Sequence, residues 1–326
     1  MSKRTYTPPV KEIKYLRISL TDRCNFVCPY CRSEKFSTPK GFEITADHIE
    51  RVVKVFSQYG LKTVRLTGGE PLLRPDIVEI VKRISLYGVE IALTTNGFFL
   101  KGLAKPLKEA GVKRLNISLD SLKEDKFRYI TGGGDLNRVL EGIAEAKKVG
   151  FKSIKLNTVA IKGFTEEEID DLLNFAAEGG FHLRFIELMP IGKLPFYSED
   201  RFLPLDWVKN YIEENYGKLE PLDRSGSGAS KDFYLPALKL KVGFIKAITE
   251  PFCEGCSKFR LTSDGKIHFC LRLEESFDLK PYLDDENKLR SVVGKLLELK
   301  TETNAFITKN GFGWFAENSR MVALGG

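Results

Sequence analysis

Apolar positions along the first 190 residues alternate between two patterns. Six short runs rich in β-branched and aliphatic residues read as strands. They are YLRISL (15–20), TVRLTGG (63–69), EIALTTN (90–96), RLNISLD (114–120), IKLNTVAI (154–161) and HLRFIELMP (182–190). Segments with helical periodicity stand between them, such as 45–60 and 135–150, and Thr45 is a suitable N-cap for the first. Gly60, Gly88, Gly111, Gly150 and Gly179 each close a helix just before the next strand, where glycine accepts the left-handed conformation.

Strand followed by helix about six times implies a parallel sheet with crossover helices. Six units without a seventh or eighth predict an α/β fold, an incomplete (β/α)6 TIM-like barrel, although an open doubly wound sheet fits the same pattern. Beyond residue 190 the alternation stops. A helix near 205–217 leads into DRSGSGAS (223–230), a loop by composition. The expected division is a barrel domain over 1–200 and a smaller C-terminal domain over 201–326.

Composition adds little to this, with 42% apolar and 29% charged residues. No run approaches the roughly 20 apolar residues of a membrane span, and the N-terminus has no secretory apolar run. A cytoplasmic protein is expected. The net charge of +7 is spread along the chain without a basic block, so no nucleic-acid arm is expected. The surplus suits either a small anionic ligand or solubility.

The six cysteines change the picture, because they form two triplets: Cys24, Cys28, Cys31 and Cys253, Cys256, Cys270. CPYC (28–31) alone reads as a dithiol redox motif, but disulfide exchange has no task for a third thiol. Clustered cysteines in a reducing compartment suit metal ligation. Zinc would need a fourth group, and none of His48, His182 and His268 completes a recognisable pattern. A cubane iron–sulfur cluster held by three thiolates would leave one iron open for chemistry. The cysteine loop, TGGEP, TTNG and SLD follow successive strands, at the end where such sheets bind ligands. TGGGD (131–135) lacks the Lys-Ser/Thr of a phosphate loop and reads as a structural joint.

C-x3-C-x2-C after a first strand, with Tyr30 before the last cysteine and TGGEP at 67–71, resembles the radical S-adenosylmethionine superfamily. PFCEGCSKFRLTSDGKIHFC (251–270) and the terminal Gly325-Gly326 narrow the resemblance to the GTP 3′,8-cyclase family of molybdenum cofactor biosynthesis. It runs from about Lys14 to the last residue.

The resemblance implies two [4Fe–4S] clusters, on Cys24/Cys28/Cys31 and on Cys253/Cys256/Cys270, the second carried by the C-terminal domain. It implies S-adenosylmethionine contacts from Tyr30, Gly69, Ser118 and Met189. GTP contacts fall to Arg17, Arg65, Thr94, Lys155, Lys258, Phe259 and Arg260, and the tail residues Arg320, Gly325 and Gly326 reach the reacting centre. The implied reaction is cyclisation of GTP to (8S)-3′,8-cyclo-7,8-dihydroguanosine 5′-triphosphate. The family usually has arginine where Lys258 stands and Met-Pro where Arg32 begins.

An electron donor of the flavodoxin or ferredoxin type and a downstream cyclic pyranopterin monophosphate synthase follow from the family pathway. A homodimer is compatible; a membrane or nucleic-acid partner is not expected. The nearest rivals are a radical enzyme that modifies peptides and a CPYC thiol oxidoreductase. Apart from any resemblance, Arg17, Arg65 and Lys155 lie within predicted strands, where unpaired charge is costly. Either a bound polyanion or salt bridges to neighbours such as Glu187 or Asp120 must hold them.

Overall fold

The computed structural model describes residues 9–31, 42–191, 196–223, 229–250 and 256–310. Arg32, Cys253, Arg320, Gly325 and Gly326 lie outside them.

Six strands and their helices follow the alternation of the sequence. They are β1 (Tyr15–Ser19), α1 (Ala46–Ser57), β2 (Thr63–Thr67), α2 (Ile77–Ser85), β3 (Glu90–Thr95), α3 (Leu100–Ala110) and β4 (Val112–Ser118). Next come α4 (Glu124–Thr131), α5 (Leu136–Val149), β5 (Ser153–Ala160), α6 (Ile169–Gly179) and β6 (His182–Glu187). Most strands stop short of the apolar run that signalled them, because TGG and LMP turn into loops.

Thr45 caps α1 by accepting from His48 N at 3.2 Å, and Asp135 caps α5 by accepting from Arg138 N at 3.1 Å. TGGGD is therefore the α4–α5 joint. Gly179 is a correction: α6 runs through it, and Gly180 (φ +66°) takes the left-handed cap. A Cβ on Gly179 would stand 2.0 Å from the Phe181 ring, so close packing requires that glycine.

β1 to β6 pair in sequential order and all in parallel. A doubly wound sheet would reverse its order at a switch point. Right-handed crossovers in one unbroken order carry every helix to the same face. That face holds the apolar core, with Leu16, Val64 and Leu115 at 0% exposure against α1, α2 and α3. The opposite face is free to be polar.

The C-terminal part returns to this sheet, which the loss of alternation did not foretell. After α7 (Leu205–Tyr216) come β7 (Glu220–Pro221), β8 (Lys231–Leu235), β9 (Leu240–Ile245), β10 (Lys258–Leu261), β11 (Lys266–His268) and β12 (Ser276–Asp278). β9 joins β6 in parallel and β10 joins β1 in parallel, so eight parallel strands stand in the order β10-β1-β2-β3-β4-β5-β6-β9. Antiparallel strands flank both ends, and β9 does not pair with β10, so the sheet is open among the described residues. The chain ends its described part in α8 (Glu286–Asn310). His48 Nε2 meets Asp284 Oδ1 at 2.9 Å, tying α1 to the approach to α8.

Candidate active site

Three loops meet at the C-terminal end of the parallel strands. Arg74, 6% exposed, donates to the carbonyls of Leu20 (3.0 Å) and Ile44 (2.9 Å), fixing the exit of β1. Gly69 N donates to Thr21 O at 2.7 Å and Glu70 N to Arg23 O at 2.8 Å. A Cβ on Gly69 would come within 2.2 Å of Arg23 O, so only glycine lets the TGGEP loop lie against the cysteine loop.

Glu70 is fully buried and accepts from Leu72 N (3.0 Å), Thr95 Oγ1 (2.7 Å) and Asn96 N (2.7 Å). It binds the second loop to the third. Burial pushes its carboxyl up to about 7, against the pull of those hydrogen bonds. A folded-state value above the unfolded one means the folded protein holds the proton longer. Stability should therefore fall as pH rises from about 4.5 to about 7, and level off above that, a span on the order of 3 kcal/mol. Glu70→Gln is expected to remove this slope in denaturant titrations run at several pH values. It should also cost about 1–2 kcal/mol above pH 7, because one backbone N–H would then face an amide NH2.

The cysteine loop is held next to this pair of loops. Cys24 Sγ accepts from Phe26 N at 3.4 Å and is approached by Asn96 Nδ2 at 3.9 Å. Cys31 N donates to Cys28 O at 2.9 Å, so CPYC is a tight turn that brings Cys31 back beside Cys28. None of the three forms a disulfide among the described residues. Burial, and then the nearness of Cys31, Asp120 and Cys24, push the Cys28 thiol well up. An anionic triplet therefore calls for a cationic group between the sulfurs.

No three Cys, His, Asp or Glu side chains among the described residues are placed to hold one metal ion. Zinc draws its ligands to about 2.3 Å from a single point. A cubane gives each thiolate its own iron, so its cysteines stand further apart. The donor set and the N–H groups aimed at sulfur fit the cluster and not a single ion.

Tyr30 turns its hydroxyl to Asp120 Oδ2 at 2.5 Å, and Asp120 Oδ1 accepts from Val159 N at 2.8 Å. Burial pushes the Asp120 carboxyl up to about 6, and burial and that carboxylate push the Tyr30 phenol well up. Tyr30 thus has only its ring to offer a ligand. Ser118 closes β4 in register with Asn157, whose buried Oδ1 has no hydrogen-bond partner. An acceptor beside Ser118 fits a donor-bearing cofactor such as S-adenosylmethionine. Met189, half-buried, follows β6, and its carbonyl accepts from Ile191 N at 2.9 Å.

The polar face of the sheet is strongly cationic. Arg260, Arg17 and Arg65 stand side by side in register on β10, β1 and β2, with Lys258 beside Tyr15 one pleat away. Further along lie Arg114, Lys155 and Arg184 on β4, β5 and β6. All are partly exposed or nearly buried on a face enclosed by the sheet. Burial lowers Arg17, with Arg260 and Arg65 adding repulsion, and it lowers Lys155 and Lys258 to about 8 and Arg184 to about 10. Arg65 Nε and Thr94 Oγ1 are buried without a hydrogen-bond partner.

Neutralisation by Glu187 or Asp120 does not occur. Glu187 accepts from Ile248 N (2.7 Å) and Thr249 N (3.0 Å), and Asp120 is taken by Tyr30. Asp232 lies 3.7 Å from Arg184 and 3.5 Å from His182, and Glu90 pairs with Arg114. The remainder of the row suits a polyanion. Phe259 does not share this face. Its neighbours Lys258 and Arg260 point inward, while Phe259 is 0% exposed in the core, edge-on to Phe269 at 5.9 Å. Its side chain lies on the face opposite the polar row, which leaves its backbone to meet a ligand there.

Cys256 and Cys270, the described members of the second cysteine set, lie at the other end of the strands. Cys256 precedes β10 by two residues, and Cys270 follows the antiparallel β11 by two, so both stand at the N-terminal edge. Roughly 13 Å of strand, the rise of β1, separates the two edges. Cys270 Sγ accepts from Arg272 N at 3.4 Å, and Cys256 Sγ is met by Lys300 Nζ at 3.6 Å. The Arg260 guanidinium lies within the influence of both sulfurs. The strands that carry the cationic row thus have described cysteines beyond both edges.

The chain is similar to known proteins along most of its length. Residues 18–176 match the family model of the radical SAM superfamily, and 181–306 match that of Molybdenum Cofactor Synthesis C. The GTP 3′,8-cyclase of Alkaliphilus metalliredigens is 41% identical over 303 residues, 91% of this chain and 93% of that protein. The chain belongs to the GTP 3′,8-cyclase family. The cyclase of Pelotomaculum thermopropionicum, 40% identical, extends the match to 97% of this chain and 98% of its own. Streptococcus suis SuiB bound to its precursor peptide SuiA superposes with a TM-score of 0.65 over 93% of this chain and 68% of its own. Methylornithine synthase gives 0.53 over 89% and 82%. Both structures are 16% identical to this chain and share its fold alone.

As a radical SAM cyclase the chain is an enzyme of molybdenum cofactor synthesis. Sequence reading missed Glu70, Arg114, Asn157, His182, Arg184 and Asp232. Two signals could have found some of them. Asn157 and Arg184 alternate with apolar positions on the strands that carry Lys155 and His182, and Glu70 is the acid of TGGEP.

Proposed function

We propose that the polar face binds GTP between two [4Fe–4S] clusters, its triphosphate on Arg17, Arg65, Lys155 and Arg260. The observation that carries this is the half-buried cationic row on strands that have Cys24, Cys28 and Cys31 beyond one edge and Cys256 and Cys270 beyond the other. Thr94 hydrogen-bonds the nucleotide, and Lys258 meets its base-bearing end, next to the second cluster. Phe259 contributes through its backbone only. S-adenosylmethionine lies at the opposite end, on the Tyr30 ring, Gly69, Ser118 and Met189, with Cys24, Cys28 and Cys31 holding its cluster. Bound there, the reduced cluster and S-adenosylmethionine supply a 5′-deoxyadenosyl radical as the hydrogen-abstracting species.

The chain's own task is positional. Joining C3′ to C8 of one nucleotide requires the ribose and base to be held in a single geometry. Cations at one end of GTP and the Cys253/Cys256/Cys270 cluster at the other fix both. Arg320, Gly325 and Gly326, outside the described residues, are the tail residues that the family resemblance assigns to the same centre, glycine allowing close backbone contact. Residues 1–200 supply the radical side and 201–326 the base side. The enzyme works in the cytoplasm, with a flavodoxin- or ferredoxin-type donor, and passes its product to a cyclic pyranopterin monophosphate synthase; a homodimer is compatible with this. No helix among the described residues is long and apolar enough to cross a membrane.

The test is an anaerobic incubation with dithionite, S-adenosylmethionine and GTP, read by mass spectrometry. The expected result is 5′-deoxyadenosine formed together with an isomer of GTP. Formation of 5′-deoxyadenosine with GTP untouched would refute the GTP site.

A further inference from the structure

Lys300, in the polar stretch ELKTETN of α8, is 1% exposed. A buried ammonium is retained only where polar or anionic groups replace its water. Its Nζ donates to Phe269 O at 2.6 Å and to Cys256 Sγ at 3.6 Å. Four residues on, and so on the same helix face, Asn304 Nδ2 donates to Cys256 O at 3.0 Å. One face of α8 therefore grips Cys256 by its sulfur and its backbone, and reaches the peptide that precedes Cys270. A neutral thiol would leave the ammonium one carbonyl. A thiolate ligand of an anionic cluster supplies the missing counter-charge.

We propose that Lys300 is a positioning residue for the second cluster, whose ammonium compensates the Cys256 sulfur and raises the cluster's midpoint potential, while Asn304 fixes the backbone of the ligand. This rests on reading Cys256 as a cluster ligand. A cation beside a cluster favours the reduced form, which carries one more negative charge, so removing it lowers the potential. The effect is confined to this cluster, because the Cys24/Cys28/Cys31 set lies at the far edge of the sheet.

The experiment is an anaerobic redox titration of the full chain with both clusters loaded, followed by electron paramagnetic resonance, with iron counted separately. Lys300→Met and Lys300→Gln should both shift the second cluster's midpoint to lower potential and leave the first cluster's in place. Gln keeps a donor, so an equal shift in both variants assigns the effect to charge. An unmoved midpoint in either variant, with both clusters present, overturns the proposal. If both neutral variants lose the second cluster, Lys300→Arg decides: its retention supports a need for charge, and its loss overturns it. Full iron and two unaltered signals in Cys256→Ala would instead refute Cys256 as a ligand, whatever Lys300 does.

Discussion

Replacing Cys270 with alanine is expected to halve the bound iron, from roughly eight per chain to four, and to abolish GTP conversion. Reductive cleavage of S-adenosylmethionine should survive. The separation follows from the sheet: Cys270 lies at the N-terminal edge, and Cys24, Cys28 and Cys31 lie beyond the C-terminal edge. Removing a ligand at one edge leaves the loops Glu70 holds at the other untouched. Iron analysis and a 5′-deoxyadenosine assay on one preparation check both halves. Eight irons with intact conversion would remove Cys270 from the ligand set.

Arg17→Met is expected to weaken GTP binding. Arg17 sits in register between Arg260 and Arg65, and burial and those two charges disfavour its ionised form. With GTP, a charge-assisted hydrogen bond worth about 1.5–3 kcal/mol is lost, so affinity should drop by about 10- to 150-fold. Calorimetric titration with GTP measures the loss, and a thermal melt of the ligand-free variant checks that it folds. A purely structural arginine would leave the affinity of the folded variant unchanged.

Arg17 also shows how far the sequence reaches. Its place in a strand, and hence the cost of its charge, follow from the alternation in YLRISL. The alternation says nothing of Arg65 or Arg260 beside it, because register between strands about 50 and about 240 residues apart leaves no local periodicity. Phe259 shows the converse. The family resemblance assigns Lys258, Phe259 and Arg260 together, but a pleated strand sends the middle one to the opposite face. Lys300 had no signal at all, since a lysine in a polar helical stretch reads as solvated until a cysteine is found against it.

The sequence by itself determined the βα repeat, the loops that carry chemistry, the two triplets of cysteines and the family. Each of these is a matter of spacing along the chain, and local periodicity and ligand spacing survive without coordinates. Only the tertiary structure decided that the C-terminal part adds β9 and β10 to the two ends of one sheet, that Cys256 and Cys270 lie at the opposite strand edge from Cys24, Cys28 and Cys31, and that Arg114, Arg184 and Asp232 share the polar face with Arg17. Those facts depend on pairing between distant strands. Such pairing is chosen by the global burial of one apolar face, which no single segment encodes.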